Sequence, residues 1–154
     1  MQTGKLQEYF GEYGKACFGC GPENPHGIGL VTHQEGEEGV TRLEVPTHLQ
    51  GWPGILQGGI IAVLMDCTVT SLAYAKVCQA AGLPPGHPDT PLFVTVNFNI
   101  DYLKPTPVGR AIELRARVEE MTERKLTASC TVTLDGQKTA EGRAIMVQVA
   151  GMPD

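Results

Sequence analysis

The chain has 154 residues, of which 42% are hydrophobic and 19% charged, with a formal net charge of −5. That length suits one domain with a sizeable core. The acidic balance excludes the basic footprint of a nucleic-acid binder, so an anionic ligand has to rely on local clusters of Lys and Arg.

In chain order, Lys5–Tyr13 predicts one short helix, and the polar run Met1–Tyr13 lacks the apolar core of an export leader. CFGCGPENPHGIG (17–29) is dense in Gly and Pro and predicts loop. Ile28–Gln34 and Val40–Val45 flank the turn-like EGEEG and predict a hairpin. After a loop over Pro46–Leu56, Gly58–Ala81 predicts the one long helix. It holds no Pro, and Gly82, Pro84 and Pro85 stop it. Its most apolar part, Ile60–Ala75, is short for a bilayer span and carries Asp66, so no membrane span is expected. Residues 82–91 predict a connecting loop.

The last third alternates with period two. Leu92–Leu103 places Val94, Val96, Phe98, Ile100 and Tyr102 on one face, and Thr95, Asn97, Asn99 and Asp101 on the other. Arg110–Glu120 and Leu126–Leu134 alternate likewise around a turn at Thr122–Lys125. Asp135-Gly136 is a two-residue hairpin signal into Lys138–Val149. An apolar sheet face with one apolar helix predicts an α+β domain. The helix is apolar nearly all round. The sheet must therefore curl about it, or a second copy must cover its far side, and a homodimer is expected.

Asp66 is the odd residue of that helix. Asp is a poor mid-helix residue, and an unpaired buried carboxylate is costly. Helix geometry groups it with Gly59, Ala62, Thr70 and Ala73, small side chains that admit close approach. Gly58 and Gly59 fall at the helix start, where backbone N–H groups lack intrahelical acceptors and carry the positive end of the dipole. Those amides suit a developing oxyanion. Gly58 and Asp66 stand about 12 Å apart along a helix, which favours a site shared between two copies.

Five cysteines without an export leader predict reduced thiols in a cytoplasmic protein. Cys17-x-x-Cys20 alone falls short of the four ligands of a structural zinc site, and His26 and His33 are off pattern. A loop of inert thiols and no metal is expected there. Cys67, Cys78 and Cys130 read as small core residues.

Three segments, CFGCGPENPHGIGL (17–30), HLQGWPGILQGGIIAVLMD (48–66) and VNFNIDYLKPTPVG (96–109), resemble the hotdog-fold acyl-CoA thioesterases, in particular the phenylacetic-acid-degradation branch. The resemblance runs from Cys17 to about Val149. It implies an antiparallel sheet wrapped around one long central helix, paired into dimers and dimers of dimers. It also implies hydrolysis of an acyl-CoA thioester with no metal and no cofactor beyond the coenzyme A of the substrate. Residues 1–27 then form an N-terminal extension carrying the CxxC loop, and 28–150 a single hotdog domain.

By the same resemblance, Gly58 and Gly59 polarise the carbonyl, Asp66 serves as general base or nucleophile, and Thr70 matches a hydroxyl of related members. Gln57 stands where the family has His and orients the thioester. It can donate and accept hydrogen bonds but cannot titrate. Lys104, Arg110, Arg124 and Lys125 are candidates for the coenzyme A phosphates. Trp52 and Leu56, with Asn97 or Asn99, are candidates for the acyl pocket, and His48 for lining the site. Two other readings stand beside this one. An enoyl-thioester hydratase or dehydratase would pair His48 with Asp66, and Gln57 is the best argument for a non-catalytic acyl-CoA-binding protein.

Overall fold

The period-two segments become six strands of one antiparallel sheet. The computed structural model describes residues 4–152. The strands are β1 (Thr32–Glu35), β2 (Glu38–Glu44), β3 (Leu92–Tyr102), β4 (Ala111–Met121), β5 (Lys125–Leu134) and β6 (Gln137–Val149), in the order β1-β2-β4-β5-β6-β3. The helix α1 (Gly58–Ala81) has 24 residues and lies against every strand. This is the hotdog architecture that the sequence leads one to expect.

Leu64, Met65, Val69 and Leu72 of α1 are sealed against Leu114 and Ala116 of β4, Leu126 and Ala128 of β5, and Met146 of β6. Full burial of each large side chain is worth about 1.5–3 kcal/mol. At 24 residues α1 is long and apolar enough to cross a bilayer by length and composition, which the shorter apolar run does not suggest. Most of that stretch is buried inside the protein.

The polar residues on the sheet side of α1 are all bonded. Gln7 donates to Thr32 Oγ1 and Ser71 Oγ, at 3.2 and 3.0 Å. The Thr32 and Thr41 hydroxyls pair at 2.9 Å, and Thr41 pairs with Thr68 at the same distance. Thr68 and Ser71 donate in turn to the carbonyls of Leu64 and Cys67. Buried hydroxyls persist when so satisfied.

Three local expectations change. The N-terminal helix is a 3-10 helix over Leu6–Gly14, broken at Gly11 (φ 57°, ψ −136°). It packs on α1 through buried Leu6 and through Phe10, whose ring meets Tyr74 edge-on at 5.3 Å. Strand β1 starts at Thr32 rather than Ile28. The backbone before it is tied to the cysteine loop instead, Ile28 N to Phe18 O at 2.8 Å and Leu30 N to Gly19 O at 3.0 Å.

The third change bears on function. The alternation of β3 is not continuous, because the pairing with β6 slips between Thr95 and Asn97. Val96, expected inward, is 56% exposed. Ahead of this bulge Phe93 and Thr95 face the core; beyond it Phe98 and Ile100 do. A bulge inserts one residue and switches which face the side chains take.

Candidate active site

Asp66 lies on a half-open stripe of α1. Gly59, Ala62, Asp66 and Thr70 are partly or fully exposed, whereas Ala73, expected on the same face, is sealed. The hydroxyl of Thr95 donates to Asp66 Oδ1 at 2.8 Å. Burial pushes the Asp66 carboxyl above the ordinary carboxylate value of 3.8, and the Thr95 hydrogen bond pulls part of the way back. Asp66 and Thr70 line a half-open cavity of about 190 Å³, together with Phe10 and Cys17 of the N-terminal segment and with Tyr74 and Phe93.

Gln57 caps the helix. Its Oε1 accepts from Ile60 N at 3.0 Å, which satisfies the third amide of the first turn. The N–H groups of Gly58 and Gly59 are the two that helix geometry leaves over. A Cβ on Gly59 would come within 2.8 Å of Gln57 Oε1, so a larger residue there requires the end of the capping side chain to shift. Tyr102 Oη donates to the Gly58 carbonyl at 2.9 Å and braces the helix start against β3. The oxygen of Gln57 is thus engaged in the fold, and its amide N–H₂ is the part of the side chain left to meet a thioester.

Of the other predicted residues, Leu56 is buried and Trp52 is 82% exposed, and both border an open cleft of about 360 Å³ beside Gln57 and Gly58. His48 is exposed in the 3-10 turn Thr47–Leu49 and borders neither the cleft nor the Asp66 cavity. Asn97 and Asn99 are exposed and bonded to each other at 2.9 Å. They do not line an inner pocket of one chain, because the bulge turns them to the outer face. Lys104 Nζ donates to Gln137 at 3.1 Å, and Arg110 pairs with Asp135. Lys104 stands beside Thr139 early in β6, while Arg124 bonds the backbone of Gln148 near its end. One chain therefore does not bring these two cations together.

Sequence reasoning missed Thr95, because nothing in the residue pattern marks the bulge. It also missed a cluster of thiols. Cys17, Cys20 and Cys67 bring their sulfurs within 4.8 Å of one another, and Cys67, taken for core filling, is the next residue after Asp66. Within this cluster the neighbouring Cys67 draws the Cys20 thiol below its ordinary value, and Cys20 together with burial pushes the Cys67 thiol up. Cys130, by contrast, is a lone buried thiol pushed up to about 12 by desolvation.

Residues 53–141 match the family model described as the thioesterase superfamily. The chain belongs to that superfamily. Acyl-coenzyme A thioesterase THEM4 of Rattus norvegicus is 31% identical over 107 residues, covering 70% of this chain and 40% of that protein. The chain spans about two fifths of the length of the curated relatives it matches. A solved thioesterase superfamily protein of Shewanella loihica PV-4 is 31% identical with a TM-score of 0.63, covering 80% of this chain and 94% of that one. A further solved thioesterase superfamily protein superposes with a TM-score of 0.73 at 21% identity, over 96% of this chain and 68% of its own. Gly58, Gly59, Asp66 and Thr95 all fall inside the thioesterase-superfamily match. Cys17 and Cys20 fall outside it.

Proposed function

We propose that this thioesterase-superfamily chain hydrolyses acyl-CoA thioesters, with Asp66 as general base. The observation that carries this reading is a half-buried carboxylate, held by one hydroxyl, opening onto a cavity from the helix whose first turn presents two amide donors. The thioester oxygen sits on the Gly58 and Gly59 amides, and the Gln57 amide N–H₂ orients the thioester. Asp66 takes a proton from a water, whose oxygen attacks the carbonyl carbon. The tetrahedral intermediate's oxyanion is stabilised by the helix-start amides. Collapse breaks the C–S bond, and the coenzyme A thiolate takes up a proton from Asp66. Thr70, lining the same cavity, holds the attacking water. The chemistry uses protein groups and water only.

The Gly58 amide and Asp66 are about 12 Å apart on one helix, so the site takes the amides of one copy and the carboxylate of another. Two features support a homodimer. Strand β3 is an edge of the sheet, with Val96 and Tyr102 exposed along it and Leu103 exposed just past its end, and an open edge pairs readily with another chain. Exposed Trp52 lies beside the amides. Pairing of dimers would then gather Lys104 and Arg124 of different copies around the phosphates. The motifs of residues 17–30 and 96–109 support the phenylacetic-acid-degradation branch, and the reduced thiols a cytoplasmic setting.

The test is a panel of acyl-CoA esters followed by a thiol reagent. Wild type releases free coenzyme A and Asp66→Ala does not, with unchanged circular dichroism. A single turnover in ¹⁸O-labelled water places the label in the acid product if Asp66 is a base. An acid free of label in the first turnover, with label later found on Asp66, would show a nucleophile instead. Tight binding across the panel without turnover would replace the enzyme reading by the binding-protein reading.

A further inference from the structure

We propose that Cys17, Cys20 and Cys67 form a binding site for one thiophilic divalent cation, for which zinc is the probe. Sequence spacing offers only a CxxC pair; the fold supplies the third ligand from α1. The Sγ atoms of Cys17 and Cys67 are 3.7 Å apart, and all three sulfurs lie within 4.8 Å of one another. Two thiolates on a tetrahedral zinc, each about 2.3 Å from the metal, stand about 3.8 Å apart. The Cys17–Cys67 pair already has that separation.

The surrounding backbone holds the arrangement. Gly21 N donates to Cys17 O at 2.8 Å, which curls the CxxC turn so that both thiols point the same way. Gly19 lies so close to the helix that a Cβ there would meet Cys67 Sγ at 2.3 Å. Cys20 and Cys67 are buried, and Cys17 is half-buried and lines the Asp66 cavity. Three thiol sulfurs thus face one point, and the fourth position of a bound cation would open to a water in that cavity. Three protein ligands with one open position is the arrangement of catalytic zinc sites, whereas closed structural sites take four. Binding replaces the thiol protons by the cation and releases them to solvent. It would fasten the loop of residues 17–30 to the helix that carries Asp66, fixing one wall of the cavity.

This site is independent of the hydrolysis reading, and its test does not depend on activity. The full chain, reduced and stripped of metal with a chelator, is titrated with zinc and then with cobalt(II). The expected result is one equivalent bound, with thiolate-to-cobalt charge-transfer bands, tetrahedral visible bands and a zinc-dependent rise in melting temperature. Cys17→Ser should weaken binding by more than the roughly 10–100-fold that an outer-sphere partner is worth, and Cys130→Ser should leave it unchanged. Cys67→Ser tests the helix ligand where it folds; half-buried Cys17 keeps the test decisive where it does not. Binding unaffected by Cys17→Ser, octahedral cobalt bands, or a stoichiometry far below one would overturn the site. So would a Cys17–Cys67 disulfide that forms in preference to metal binding.

Discussion

The two sides of α1 carry polar residues under opposite terms. Toward the sheet, Thr68 and Ser71 belong to a closed ladder with Gln7, Thr32 and Thr41, in which every hydroxyl has a partner. On the open stripe, Asp66 has Thr95 alone among the described residues, although a carboxylate accepts about four hydrogen bonds. It opens onto a cavity. The first set makes the helix stay where it is. The second retains unspent hydrogen-bonding capacity, and that is what a reacting water needs. Within one helix, satisfaction separates structural polar groups from chemical ones better than burial does.

Five substitutions, the last followed across pH, test this contrast, beginning with the largest effect. Asp66→Asn keeps the shape and the Thr95 contact but removes the base. Thioesterase activity should fall by about 10²–10⁴-fold. The melting temperature should rise by about 2–4 °C for each kcal/mol of desolvation relieved. A drop in melting temperature would show that Asp66 serves the fold. Next, Gly58→Pro removes one N–H at the first helical position, where Pro is tolerated, after a residue already extended (φ −65°, ψ 132°). Loss of one oxyanion donor should cost about 10²–10³-fold in kcat with the fold kept; unchanged kcat would exclude that amide.

On the closed side the expectation reverses. Thr41→Val breaks the middle of the ladder and should lower stability by about 1–3 kcal/mol in denaturant unfolding, with kcat unchanged. A change in kcat without a change in stability would erase the contrast. At the open helix start, Gln57→Ala removes the cap and should lower stability by about 0.5–2 kcal/mol in the same unfolding measurement. The smallest effect belongs to the outer face of β1, β2 and β4. There Arg42 and Arg115 hold Glu35 and Glu113, and Arg115 with Arg117 holds Glu38, below the usual carboxylate value of 4.5. Depressed carboxylates add stability that is complete above their unfolded value and lost as pH falls through the folded ones. The difference in melting temperature between wild type and Arg115→Gln should therefore be largest near neutral pH and shrink in acid. A constant difference would mean that Arg115 acts through packing.

Much of this molecule was legible from local order alone. The limits of Gly58–Ala81 are legible because an uninterrupted apolar run ends at Gly82, which adopts a left-handed conformation (φ 68°). The hairpins followed from period-two patterns and from Asp135-Gly136. The glycine pair and Asp66 were visible because each breaks a local rule: glycine at a helix start, and a carboxylate amid apolar residues. What the sequence by itself determined is thus whatever short-range periodicity and turn chemistry dictate. The tertiary structure decided the rest. It set the bulge that aims Thr95 at Asp66 and turns Asn97 outward, the use of Gln57 as a cap, and the meeting of Cys67 with a CxxC loop that lies far away in sequence. Register shifts and long-range contacts depend on which segments pack against each other, and no window of a few residues records that.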